Sequence, residues 1–314
     1  MINWLTGEQT GPFAHLATDA VAMGLPQVKP PPTGPHDQQL GILFAAGLRF
    51  AGMPAALAVL RSHQRSATGE VSVLSLVVTP HLQGLGLARE LLSWLRAELK
   101  QQGWGRLSVS YPLDHSCTEA MEKLTSSCEG WTHRAGLQLM QLDRSGAAQL
   151  VQRLAPMARH AQRQQRFSLR AWNDLEPISL KGLGDCLCAP EWAHPRDEAD
   201  GDPLQALDPA ISSVLLDWNE PAGWITAHRV GKHMFRVSQW WVKPELQGSG
   251  IALLLLHQAV QGALRSPHGY SRGSFGIEPG NTQAITLCAR KIAPFACGVS
   301  RQRRASITLC EQPV

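Results

Sequence analysis

Val78-Thr79-Pro80-His81-Leu82-Gln83-Gly84-Leu85-Gly86-Leu87-Ala88 returns later in the chain as Val242-Lys243-Pro244-Glu245-Leu246-Gln247-Gly248-Ser249-Gly250-Ile251-Ala252. One offset of 164 positions carries Pro80 to Pro244 and Gln83 to Gln247. Each copy follows an apolar run with the character of a strand and opens a run with helical periodicity. A strand, a glycine loop and a helix N-terminus together form an anion site. Glycines let the backbone approach a phosphate closely, and the first-turn amides and the helix dipole face it. Two copies in matching contexts mark an internal duplication, which organises everything else in the chain.

The pattern V-x-P-x-x-Q-x-x-G-x-[GA] between a strand and a helix resembles the acyl-CoA loop of the GNAT (Gcn5-related N-acetyltransferase) superfamily. The resemblance covers most of both halves and implies a tandem GNAT protein with an α/β, mixed α+β, fold. Each of its two domains would be a mixed, mostly antiparallel sheet flanked by helices. It further implies that Gln83, Gly84, Leu85, Gly86, Leu87, Ala88 and Arg89 hold a CoA pyrophosphate in the first half. Gln247, Gly248, Ser249, Gly250, Ile251 and Ala252 would do so in the second. The preceding strands, ending at Val78 and at Trp241-Val242, would pair with the pantetheine arm.

A chain of 314 residues with 44% hydrophobic and 17% charged content has the composition of an ordinary globular protein with two cores. The net charge of +4 suits anionic CoA or an acidic acyl carrier protein and is too small to argue for nucleic acid. No apolar run approaches the ~18 residues of a membrane span, and no signal peptide is indicated. Seven cysteines, with Cys186 and Cys188 lacking a second pair, suggest reduced thiols in a cytoplasmic protein and no metal site.

The periodicities predict strands at 2–6, 40–48, 55–61, 71–78, 107–111 and 137–142 in the first half, with helices at 13–23, 87–102 and 118–128. Breakers fill 27–35. Strands at 167–171, 213–218, 223–229, 235–242, 273–277 and 305–309 and helices at 251–264 and 282–291 repeat the plan. Residues 184–208, rich in acidic side chains and proline, read as an exposed excursion. The expected domains are 1–143, degenerate by its motifs, a connecting helix 144–165, and a catalytic domain 166–314.

The second half is favoured for chemistry because Glu278-Pro279-Gly280-Asn281-Thr282-Gln283-Ala284-Ile285-Thr286-Leu287-Cys288 resembles the family's N-x-x-A-x-x-L-Y segment. The resemblance implies that Asn281 touches the pantetheine arm. Cys288 stands where a tyrosine often protonates the leaving thiolate; the thiol could donate a proton or simply pack in the core. The family's usual glutamate is missing from Leu74-Ser75-Leu76 and Ser238-Gln239-Trp240 alike. Glu278, at the end of the next strand, is the substitute base, with His228 and His233 as weaker candidates. The backbone N–H of Val242 is the expected oxyanion donor.

These residues point to an acyl-CoA-dependent N-acyltransferase acting on a primary amine, such as a lysine or ornithine side chain of a peptide. The donor would be acetyl-CoA or a longer acyl-CoA. Trp218, Trp224, Trp240 and Trp241, with Arg301, Arg303 and Arg304 as a basic tail, tilt the reading towards a medium or long chain. A mycothiol synthase-like acetyltransferase and a non-catalytic acyl-CoA-binding protein are the alternatives. The protein is expected to be a monomer or a homodimer.

Overall fold

The computed structural model describes residues 1–22, 24–31, 42–63, 69–163, 166–174 and 207–310. Most of the predicted excursion at 184–208 and part of the 27–35 loop lie outside these residues. The described chain falls into two compact units.

The first unit holds β1 (Ile2–Leu5), a 3-10 segment Gly7–Leu16, the short helix α1 (Asp19–Ala22), β2 (Leu43–Phe50), β3 (Met53–His63) and β4 (Glu70–Val78). α2 (Leu87–Gln101), β5 (Arg106–Pro112) and α3 (Thr118–Ser126) follow. The predicted helix at 13–23 is thus a 3-10 stretch with Pro12 inside it and then a single α turn. The break falls at Ala17, whose φ/ψ of −100/141° is extended, so the segment does not run as one α-helix. β1 to β4 pair antiparallel in sequence order, and β5 joins β4 in parallel. Leu87, Leu91, Leu92, Leu95 and Leu99 bury one stripe of α2 on the sheet, each contributing about 1.5–3 kcal/mol.

β6 (Trp131–Asp143) begins in the first unit and ends in the second. The second unit continues with α4 (Arg144–Arg163), β7 (Phe167–Ala171), β8 (Ser213–Asp217), β9 (Glu220–Gly231) and β10 (Met234–Val242). α5 (Ala252–Arg265), β11 (Arg272–Ile277) and α6 (Thr282–Lys291) complete it. α4 buries Leu150, Leu154 and Ala158 in the same core as Leu254, Leu255, Leu256 and Val260 of α5. The predicted connecting helix is therefore part of this unit's interior.

The closing strands are exchanged. β12 (Gly298–Thr308) pairs antiparallel with β5, from Gln302↔Pro112 to Thr308↔Arg106, and its Ala305 and Ile307 sit in the first unit's core. The second half of β6 pairs instead with β11, from Gln138↔Ile277 to Asp143↔Arg272. Among the described residues, the compact units accordingly take those up to Leu137 with those from Ser300 on, and 138–174 with 207–299, rather than dividing at 143 and 166. Arg303 and Arg304 are strand residues, not a free tail. They point to opposite faces, Arg303 donating to Glu122 at 2.7 Å and Arg304 pairing with Glu70.

Candidate functional site

The two copies of the motif take the same backbone path. Thr79 and Lys243 have φ/ψ of −49/130° and −46/142°, and Gln83 and Gln247 have −65/150° and −66/144°. Between them lie single 3-10 turns, Pro80–Leu82 and Pro244–Leu246. Gly84 and Gly86 have φ of 84° and 81°, and Gly248 and Gly250 have 78° and 85°. Only glycine enters that region without strain, so the repeated glycines fix the loop. In each copy the glutamine side chain bonds back to the strand it left: Gln83 to Val78 O at 3.2 Å, Gln247 to Val242 O at 3.3 Å.

The strands in front of the loops also match. β4 pairs with β5 only from Glu70↔Arg106 to Val73↔Val109, and β10 with β11 only from Met234↔Arg272 to Val237↔Phe275. At the next position each strand is irregular against its other neighbour, with Leu74 and Ser238 skipped in the register. Beyond that point one side of each strand faces an opening. Lys243 N–H donates to Ala222 O of β9 at 2.9 Å, and Thr79 N–H to Ala55 O at 2.9 Å. Strand alternation then turns the N–H groups of Val242 and Val78 the other way, towards the parted side. An extended ligand entering either opening meets an outward N–H just before the glycine loop.

The loops differ in how their amides are used. Among the described residues, the N–H groups of Gly84, Leu85, Gly86, Leu87, Ala88 and Arg89 find no acceptor. A Cβ at Gly84 or Gly86 would meet nothing within 4 Å, so the space in front of them is open. In the second loop Ser249 serves its own neighbours. Its Oγ donates to Leu246 O at 2.6 Å and accepts from Ile251 N–H at 3.3 Å, and its N–H reaches Leu246 O at 3.4 Å. Gly248, Gly250 and Ala252 keep open N–H groups there, and Met157 Sδ of α4 would lie 3.8 Å from a Cβ on Gly250. Both loops can cradle an anion, and the first is the more open. Arg89 is exposed in the first turn of α2, whereas its counterpart at the same offset is Leu253.

Glu278 follows the last residue of β11 and is exposed; its carbonyl accepts from Asn281 N–H at 3.0 Å. Asn281 caps α6, its Oδ1 accepting from Ala284 N–H at 2.9 Å. That bond occupies the oxygen and leaves Nδ2 for a ligand. Cys288 is 2% exposed in the core of the second unit, and burial pushes its thiol up to about 11. Such a thiol stays protonated and packs within that core. His228 is buried in β9 and His233 lies exposed before β10.

The four tryptophans do not line one cleft. Trp218 is exposed at the β8–β9 turn with φ of 50°. Trp241 stacks on Trp224 at 4.7 Å in a small cluster with Val214 and Leu216. Trp240 faces the opposite way, packs against the main core and donates its indole N–H to Ala252 O at 3.0 Å. No group of three or more histidines, cysteines or acidic residues among the described residues could hold a metal ion. No described helix is long and apolar enough to cross a membrane.

Known proteins match part of this sequence and its fold. Residues 183–292 match the family model for the acetyltransferase (GNAT) family. A comparison with curated protein sequences finds no match. Among solved structures, a tandem GNAT protein from the clavulanic acid biosynthesis pathway covers 100% of both chains at 12% identity, with a TM-score of 0.68. A GCN5-related N-acetyltransferase from Sphaerobacter thermophilus covers 99% of this chain and 96% of its own at 14% identity, with a TM-score of 0.60. A GCN5-related glucosamine N-acetyltransferase region of a fungal multi-domain GH3 β-N-acetylglucosaminidase covers 98% of this chain and 38% of its own at 12% identity, with a TM-score of 0.66. At these identities the likeness is one of fold. The match to the acetyltransferase (GNAT) family thus covers residues 183–292, and the whole chain has the fold of the tandem GNAT protein it resembles.

Proposed function

We propose that the second unit transfers an acyl group, most simply acetyl, from acyl-CoA to a primary amine. The observation that carries this reading is the opening between β10 and β11 beyond Val237, with the outward N–H of Val242 and the glycine loop at its end. The pyrophosphate of the donor would rest on the open amides of Gly248, Gly250 and Ala252, and the pantetheine arm would run along β10. Val242 N–H then meets the thioester oxygen as it becomes an oxyanion. The amine nitrogen attacks the carbonyl carbon, loses a proton to Glu278 or to water, and the C–S bond breaks. On this reading CoA leaves as a thiolate without help from the buried Cys288, and its conjugate acid has a pKa near ~8.5 for an ordinary thiol. Positioning and the oxyanion donor therefore supply most of the rate.

Acetyl is the better choice of donor because Trp224 and Trp241 are spent on each other and Trp240 on the core. The acceptor class is a lysine or ornithine side chain on a peptide, with a free amino sugar as the comparison suggested by the fungal relative. Acetyl-CoA turnover measured against such amines, with decanoyl-CoA as competing donor, tests the reading. Preference for decanoyl-CoA overturns the acetyl assignment, and no turnover with any amine overturns the activity.

A second reading is favoured by the six open amides from Gly84 to Arg89. In it the first unit binds acyl-CoA at least as tightly as the second. Binding measured in the two glycine variants described in the Discussion separates the contributions.

A further inference from the structure

The two units share a loop conformation, but only the second ties the start of its loop helix to the strand beside it with an indole. Trp240 stands two residues before Val242 on the face of β10 that packs against α5. Its Nε1–H donates to the carbonyl of Ala252, the first residue of that helix, at 3.0 Å. The ring is held by the main core of the unit. The same offset in the first unit falls on Leu76, which has no donor. Ala252 also ends the stretch whose amides face the proposed pyrophosphate, and its own N–H is open. A carbonyl in the first turn that accepts from a side chain on the strand cannot move without breaking that bond.

We propose that Trp240 is a positioning residue for the donor site of the second unit. It fixes the N-terminal turn of α5 relative to β10, so that the amides for the pyrophosphate and the N–H for the thioester oxygen keep one spacing. The need for such a tie follows from the loop itself. Ser249 satisfies its own neighbours and leaves three amides, so each remaining amide must be held in place. In the first unit six open amides make the register less critical. The inference rests on the functional reading above, since it concerns the same donor site.

The test is Trp240→Phe, which keeps an aromatic ring in the core and removes the indole N–H. It is made in the full-length protein carrying Gly86→Asp, so that CoA binding reports on the second loop alone. One net hydrogen bond corresponds to about threefold to tenfold in affinity. The Kd for CoA by calorimetry and the KM for acetyl-CoA should both rise by that factor. The kcat at saturating donor should stay within twofold, and the thermal midpoint should shift by only a few degrees. A purely packing role would lower the midpoint and leave Kd and KM where they were, and that result overturns the proposal. A Gly86→Asp protein that binds no CoA overturns the functional reading and the positioning role with it. One that binds CoA with a Kd unmoved by Trp240→Phe overturns the positioning role alone.

Discussion

Ending the chain after Cys297 removes β12 and should unfold the first unit, although every other strand of that unit lies more than a hundred and fifty residues earlier in sequence. The magnitude follows from what β12 contributes. Ile307 and Leu309 are 2% and 5% exposed, and burying each is worth about 1.5–3 kcal/mol, or about 3–6 kcal/mol together. Arg304 faces Glu70, whose side chain is only 5% exposed and which also accepts from Ser108 Oγ at 2.5 Å. Breaking a buried pair costs about 3–5 kcal/mol; with Arg304 31% exposed, about 2–3 kcal/mol is the better figure here. The total, about 5–9 kcal/mol before the seven-residue ladder with β5 is counted, rivals the 5–15 kcal/mol that holds a whole domain together. Hydrogen exchange followed by mass spectrometry reads this directly. Peptides covering β4 and β5 should lose protection in the truncated protein. A fragment ending at Asp143 should likewise show no cooperative urea transition. If that fragment melts cooperatively with the midpoint of the intact first unit, the strand exchange does not contribute as argued.

Gly250→Asp and Gly86→Asp each place a carboxylate and a strained φ where an anion must approach, so each should abolish CoA binding to its own loop in calorimetry. CoA binding unchanged by Gly250→Asp and lost in Gly86→Asp would move the donor site to the first unit. Glu278→Gln should lower kcat/KM about a hundredfold near neutral pH, with the loss shrinking as pH rises and the amine deprotonates on its own. Full activity across the pH range would leave Glu278 as a loop carboxylate. Cys288→Ala should cost about 1–2 kcal/mol of stability by cavity formation and little activity; a large fall in kcat would restore the thiol as the acid. Because folding raises the Cys288 pKa from 9.0 to about 11, its contribution to stability is complete below about 9 and is lost as pH climbs from there to about 11. Urea midpoints of wild type and Cys288→Ala should therefore converge over that window.

The loop and its helices were legible because they rest on local rules. Glycines at fixed offsets demand positive φ, and leucines at three- and four-residue steps mark the buried stripe of α2. The capping role of Asn281 was missed, since the resemblance assigns that residue only a contact with the pantetheine arm, although its place just before a helical run is a capping signal. The exchange of β6 and β12 was not, because pairing partners are non-local and the alternation in Gly298–Thr308 fits any neighbour that offers a ladder. The first-unit helix at 13–23 failed at Ala17, where the backbone is extended and no residue type signals a break. Period two places Trp240 and Trp241 on opposite faces, but it carries no sign that both are already occupied. Met157 beside Gly250 left no local signal, since it comes from a helix about ninety residues earlier in the chain.

Two loops with one set of torsions and different hydrogen-bond accounts show where a duplicated site can diverge. Backbone path is set by the glycines and the proline, so it survives nearly every other substitution. The availability of the amides is set by side chains that the path does not constrain, above all Ser249 against Leu85 and Met157 over Gly250. An amide already bonded to Ser249 must exchange that bond for one to phosphate, which gains less than binding by an open amide. Anion affinity can therefore fall in one copy while the outward N–H at Val242, which depends only on strand alternation, is untouched. On the proposed reading the second unit keeps the chemistry through that N–H and recovers donor placement through Trp240. The first unit, with Leu74 exposed at its irregularity and no carboxylate from Leu74 to Val78, keeps the stronger anion cradle.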